Sequence, residues 1–198
     1  MALDADQTAS GVLIMWDRRV LEKLEVLVGL FSMSIQWKGV VDGFIWACSR
    51  VYGSNDNNLR GDLWDELVGI QQYWNVPWCC FGDFNVVRFP SERKGGSRLT
   101  PAMEKFSEFI DDLNLIDLPL EGGSYTWSSG TVQPFMSRID RALVSHDWEH
   151  HFHGRLKLSP VRILFQAADQ TKKETRRGAL TFQIPFQGKA MEEEPCYL

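Results

Sequence analysis

Asp83 and Asn85 close the stretch Trp78-Cys79-Cys80-Phe81-Gly82-Asp83-Phe84-Asn85, which sets an acid and an amide at the mouth of an apolar run. The pair suits phosphate chemistry. A carboxylate can orient or deprotonate a water, and a neutral amide can donate a hydrogen bond to an oxygen gaining negative charge without trapping the base in an ion pair. In extended backbone alternate side chains share a face, so Asp83 and Asn85 are expected to enter one cleft while Phe84 turns into the core. Asp and Asn are also ordinary turn formers, and the motif alone fits a plain loop as well. Two more predicted strand ends carry polar groups: Tyr52 with Asn55, and Ser137-Arg138-Ile139-Asp140-Arg141. Three such ends point to a common cleft. Arg138 and Arg141 either grip backbone phosphate there or neutralise neighbouring acids.

All four histidines fall in His146-Asp147-Trp148-Glu149-His150-His151-Phe152-His153. His146 and His150 are one helical turn apart, a spacing that can bind a metal with Glu149 assisting. The His-Glu-x-x-His order and a third ligand at fixed distance are missing, so a short surface helix is the favoured reading.

These groups need strands to hold them. Gly11 to Trp16 reads as one, and Leu24 to Trp37 as two around Gly29, with Leu24, Val26, Val28 and then Phe31, Met33, Ile35 in alternation. Phe44 to Tyr52 is another. Leu59, Leu63, Leu67, Ile70 and Trp74 recur at helical spacing, which predicts an amphipathic helix over 58–74. After the Trp78 to Phe81 strand and a polar loop from Arg88 to Leu99, Thr100-Pro101 supplies an N-cap and a first-position proline. The second helix runs from there to Asn114, with Met103, Phe106, Phe109, Ile110 and Leu113 inward. Leu115 to Leu120 reads as a connector, Ser124 to Ser128 and Arg138 to Val144 as strands, His146 to Phe152 as a helix, and Leu156 to Leu158 as a short strand. Strands outnumber helices and hairpins mix with crossovers, which predicts a mixed α/β sandwich.

At 198 residues there is room for one core, and two full domains are not expected. The formal charge of −5 argues against holding nucleic acid by bulk electrostatics, so a polynucleotide partner would need a local basic cleft. Cys48, Cys79, Cys80 and Cys196 form no CxxC pair, disulfide framework or zinc spacing, which fits reduced thiols in an intracellular setting, nuclear or cytoplasmic. No apolar run is long enough to cross a bilayer, and no membrane partner is expected. The eight tryptophans are spread along the chain, which favours packing over a base-stacking platform. Three segments are expected: a disordered start at 1–10, a domain at 11–160, and a divergent, disordered tail at 161–198, ending in the acidic Glu192-Glu193-Glu194.

Taken together, Val51-Tyr52-Gly53-Ser54-Asn55, Gly82-Asp83-Phe84-Asn85, Gly123-Ser124-Tyr125-Thr126-Trp127 and Ser137-Arg138-Ile139-Asp140 resemble the endonuclease/exonuclease/phosphatase superfamily. The resemblance is specifically to the endonuclease domain of plant LINE-type (non-LTR) retrotransposon polyproteins, from about Gly11 to about Pro160. It implies a four-layer sandwich of two mixed β-sheets flanked by helices, and a magnesium-dependent cleft that nicks DNA by phosphodiester hydrolysis. Under it, Asp83 activates or aligns the attacking water, Asn85 steadies the scissile phosphate, and Tyr52 with Asn55 contacts the phosphate or its support. Asp140 matches the carboxylate that orients the family's catalytic histidine, and Thr126 and Trp127 fit the strand lining the DNA groove. For Trp127 a plain core role fits equally well, and Arg138 is a further candidate for phosphate binding.

The departures are as specific. The family's early Asn and metal-binding Glu are expected before Gly11 and are not found there, which leaves the metal ligand unknown. Its Ser-Asp-His triplet is expected soon after the Asp140 strand, where this chain runs Leu158-Ser159-Pro160-Val161-Arg162-Ile163-Leu164. The expectation is a truncated, inactive endonuclease copy, incomplete at the N-terminus and at the C-terminal catalytic strand. The alternatives are a residual nuclease or phosphatase that borrows a metal ligand from Asp17, Glu22 or Glu25, or a non-enzymatic remnant that binds nucleic acid or a partner weakly. No oligomeric state follows from the sequence.

Overall fold

The computed structural model describes residues 2–3, 12–13, 16–120, 123–129 and 133–152. The expected Leu156 to Leu158 strand, the tail and Cys196 lie outside them. Strands β1 (Ala2–Leu3) and β2 (Val12–Leu13) form a short antiparallel ladder. The frame of the fold is a mixed six-stranded sheet built from β3 (Leu21–Val28), β4 (Ser32–Gly39), β5 (Ile45–Tyr52), β6 (Trp78–Asp83), β7 (Ile116–Asp117) and β10 (Asp140–Val144). Its order is β3-β4-β5-β6-β10-β7, and β5 and β6 are the parallel pair. Strands β8 (Trp127–Ser128) and β9 (Met136–Ser137) pair separately. The α/β class expected from the sequence is the class found.

The parallel β5–β6 pair requires a crossover, and α1 (Arg60–Trp74) supplies it. Leu63, Trp64, Leu67 and Ile70 form its buried face, and Asn75 ends it in the left-handed conformation at φ 46°. Helix α2 (Pro101–Asp112) starts as its residues predict, with the Thr100 hydroxyl accepting from Met103 N–H. The two helices cover one sheet face: Trp64 stacks on Phe84, Phe106 and Phe109, over Ala47, Val51, Trp78, Cys80 and Leu143. On the opposite face Met33, Ile35, Trp37, Trp46, Cys48, Cys79, Phe81, Ala142 and Val144 form a second core, into which α3 (His146–Phe152) inserts Trp148. The alternation predicted for the early strands holds along β4 and fails on β3. Leu24 sits at a bulge between Lys23 and Glu25, which shifts the pleat, so Leu24 and Val28 are exposed on an edge strand. The expected Leu115 to Leu120 connector contains β7, the opposite edge.

Burial holds the thiols protonated. Cys48 is pushed up to about 12, and Cys79 and Cys80 are raised for the same reason. On α3, His151 bonds Asp42 at 3.1 Å and stacks on Phe44. Among the described residues no three His, Cys, Asp or Glu side chains are grouped to hold a metal.

Candidate active site

Register does the assembling. Tyr52 at the end of β5 pairs with Asp83 at the end of β6, and Asp83 pairs with Asp140 at the start of β10. Cross-strand partners point to the same face, with adjacent strands about 4.8 Å apart, so the three side chains form one row about 10 Å long. Asp83 is buried, and Tyr52 and Asp140 are partly so.

Arg50 lies two residues before Tyr52 in β5 and therefore shares the face of the row. Burial pulls its guanidinium below its usual range, while the negative charges of Asp140 and Asp83 hold it up. Its Nη1 donates to the Val51 carbonyl at 2.5 Å. Gly82 makes room for this: its φ is 138°, and a Cβ there would stand 1.8 Å from Arg50 Nη1 and 2.2 Å from the Val51 oxygen. A strand places residues i and i+2 on one face, so Arg50 was accessible from its spacing to Tyr52. It lies inside β5, not at a strand end, where the polar groups of the site were expected.

Thr126 positions Asp140. Its Oγ1 accepts from the backbone N–H of Ile139 and of Asp140, both at 3.0 Å, and clamps the start of β10. Trp127 beside it packs against Val87, Met103 and Ile139 as a partly buried core ring.

Asn85 departs from the extended geometry expected of it. The strand stops at Asp83, and Asn85 takes the left-handed conformation at φ 51°. Its N–H donates to Asp83 Oδ1 at 2.8 Å, and its side-chain Nδ2 donates to the Gly53 carbonyl at 2.5 Å. Asp83 therefore joins the row, whereas Asn85 lines a cavity on the helical side together with Asn55. Phe84 turns into the core as expected. The two loops are locked together, because Gly53 N–H bonds the Asp83 carbonyl at 2.6 Å.

Arg138 is outside the row. It bonds Asp117 Oδ1 and the Leu118 carbonyl, both at 2.9 Å, and stands 3.6 Å from Glu92 Oε1. Fully buried Arg141 joins the same two acids. Both arginines of the 138–141 segment thus neutralise acids.

The alternative metal ligands stand far from the row. Glu22 registers with Lys38 and through it with Ile45, seven residues along β5 from Tyr52, or about 23 Å at 3.3 Å per residue. Glu25 accepts from Trp74 Nε1 at 2.8 Å, and Asp17 is engaged by Arg19.

Residues 5–175 match the model of the Endonuclease/Exonuclease/phosphatase family, and the chain belongs to that family. Among solved structures it is similar to the endonuclease domain of TRAS1, a telomere-specific non-LTR retrotransposon, at 14% identity over 58% of this chain and 51% of that one, with a TM-score of 0.48. It is also similar to a mannosyl-6-phosphatase of Bacteroides thetaiotaomicron, at 15% identity over 66% and 55% of the two chains, TM-score 0.44. A third is the human Nocturnin catalytic domain, at 12% identity over 65% and 50%, TM-score 0.40. The chain spans about half the length of these structures. No curated protein matches it.

Family membership implies a divalent metal such as Mg²⁺, and the donors can be tested against it. Asp83 and Asp140 are hard oxygen donors of the right kind. The Arg50 guanidinium lies on the same face, within electrostatic reach of both. Among the described residues no third acid is grouped beside them. The two carboxylates alone do not complete a Mg²⁺ coordination shell.

Proposed function

We propose that this chain is an endonuclease-type domain of the plant LINE (non-LTR) retrotransposon lineage, with a cleft of the kind that hydrolyses DNA phosphodiesters, and that it does not turn over. The observation that carries the reading is the in-register row of Tyr52, Asp83 and Asp140 at one end of the sheet. In it Asp83 is the residue suited to align water, Tyr52 and Asn85 are suited to the phosphate, and Asp140 is suited to orient a base, with Thr126 holding Asp140 in position. Inactivity follows from two features. Asp83 and Asp140 have no third acid grouped beside them among the described residues to complete a Mg²⁺ site, and the stretch Leu158 to Leu164 has no Asp-His pair to supply an acid or base. Each loss removes several kcal/mol of transition-state stabilisation. The domain of this reading spans 11–160, with 1–10 and 161–198 as flanking segments, in a nuclear or cytoplasmic protein whose partner is DNA.

A plasmid-nicking assay with millimolar Mg²⁺ tests it. Supercoiled DNA should remain intact with both the natural chain and Asp83→Ala. Robust nicking abolished by Asp83→Ala would overturn the inactive reading and leave the endonuclease lineage standing.

A further inference from the structure

A cavity of about 460 Å³ opens on the helical side of the sheet, beside the row but not part of it. Asn55, Asn57, Arg60, Asn85, Arg93 and Lys105 bring the polar groups to its wall, and Trp64, Val86, Pro101 and Met103 bring apolar ones. The charges are one-sided. Arg60 Nη2 donates to the Asn85 carbonyl at 2.8 Å and its other terminal nitrogen bonds Asn57 Oδ1, so both partners are neutral and the guanidinium keeps its full charge. Its Nε is buried and has no partner among the described residues. Among those residues Arg60, Arg93 and Lys105 make no ion pair, in contrast to Arg88, Arg138 and Arg141.

Arg60 and Arg93 lie near enough to repel. Burial lowers the Arg60 guanidinium first, the positive charge of Arg93 lowers it further, and Asp56 opposes both. Two facing cations without a carboxylate between them are arranged for an anion, which would convert mutual repulsion into two attractions. The third wall is the start of α2, where Pro101 has no N–H and Thr100 takes those of Met103 and Glu104, so the Ala102 N–H and the positive dipole end are what favour the same charge.

We infer that this cavity binds a backbone phosphate of nucleic acid between Arg60 and Arg93, with Lys105 at the rim. A free phosphate would leave the apolar walls without a partner, whereas a nucleotide's sugar and base suit them. Asn85 couples the two places: its carbonyl holds Arg60, and its N–H holds the Asp83 carboxylate. A strand seated by one phosphate in the cavity would present a neighbouring phosphodiester to the row. The inference rests on the DNA-directed reading for the nature of its ligand, and on the cation arrangement for its location.

The test uses the full chain and a fluorescein-labelled single-stranded DNA 12-mer, with anisotropy followed across salt concentration, beside an NMR titration with inorganic phosphate. Arg93 and Lys105 are exposed, so Arg93→Ala, Lys105→Ala and the double variant should keep the fold, checked by circular dichroism. The double variant should bind DNA about 10-fold more weakly near 50 mM salt, and the slope of log affinity against log salt should fall by about 0.7, the one single-strand phosphate contact that the cavity supplies. DNA binding with an unchanged slope would overturn the site and leave the nucleic-acid reading intact. Phosphate shifts at the Asn85 and Ala102 amides that vanish in the variant, without any DNA binding, would uphold the anion site and overturn its ligand class together with the DNA reading. Absence of both responses would overturn both.

Discussion

Asp140 and Arg141 are neighbours in sequence, yet the pleat of β10 sends them to opposite faces, into two ionic environments built on different rules. Arg141 joins Arg138, Glu92 and Asp117 in a cluster of two cations and two anions. That cluster is balanced, and Arg141 is 0% exposed within it. Asp140 faces Asp83 and Tyr52 through strand register, and Arg50 on the same face feels the charge of both carboxylates. The cluster closes on itself and holds elements together, here the loop around Glu92, strand β7 and strand β10. The row instead stands at strand ends, with Tyr52 and Asp140 partly open to solvent, which is why the row rather than the cluster reads as the functional side. The sequence offered Arg138 and Arg141 as one pair flanking an acid, and only their partners separate scaffold from site.

The largest expected effect is at Arg141. Arg141→Ala leaves Glu92 and Asp117 buried with Arg138 alone, and should cost about 3–5 kcal/mol of stability in urea melts. A loss below 1 kcal/mol would mean that the cluster is solvated and the contrast with the row is false. Arg50→Met should cost less, about 1–3 kcal/mol at pH 7, because Asp83 and Asp140 then lose a favourable charge on their face and the Val51 carbonyl loses its donor. Millimolar Mg²⁺ should raise the melting temperature of Arg50→Met and leave that of the natural chain unmoved; equal responses would show that Arg50 does not stand in the way of a metal. Thr126→Val removes the acceptor shared by the Ile139 and Asp140 N–H groups and should cost about 1–2 kcal/mol. An unchanged melting curve would show that β10 needs no such clamp.

Much of the frame was legible before any coordinates. The 3.6-residue spacing of Leu63, Leu67, Ile70 and Trp74 and the Thr100-Pro101 start are local signals, and both helices lie within two residues of their predicted bounds. The unbroken apolar run of β6 likewise marked a strand buried on both faces. The β3 alternation misled because a bulge changes the phase of the pleat without changing the pattern of residue types. Asn85 misled because a left-handed turn is open to Asn as readily as an extended one is. Of the site residues, Asp83, Tyr52 and Asp140 were legible as polar groups at strand ends, while Arg50, Arg60 and Arg93 were not singled out.

The order of residue types along the chain was thus sufficient for the class of fold, for the helices and for the acid–amide motif, since periodicity, caps and turn formers act over a few residues. Which charges meet is another matter. That Tyr52, Asp83 and Asp140 stand abreast, that Arg50 shares their face, and that Arg60 and Arg93 line one cavity while Arg141 is buried in a neutral cluster all depend on strand register and crossover packing. These join positions tens of residues apart, and electrostatic energy follows distance in space, to which spacing along the chain is no guide.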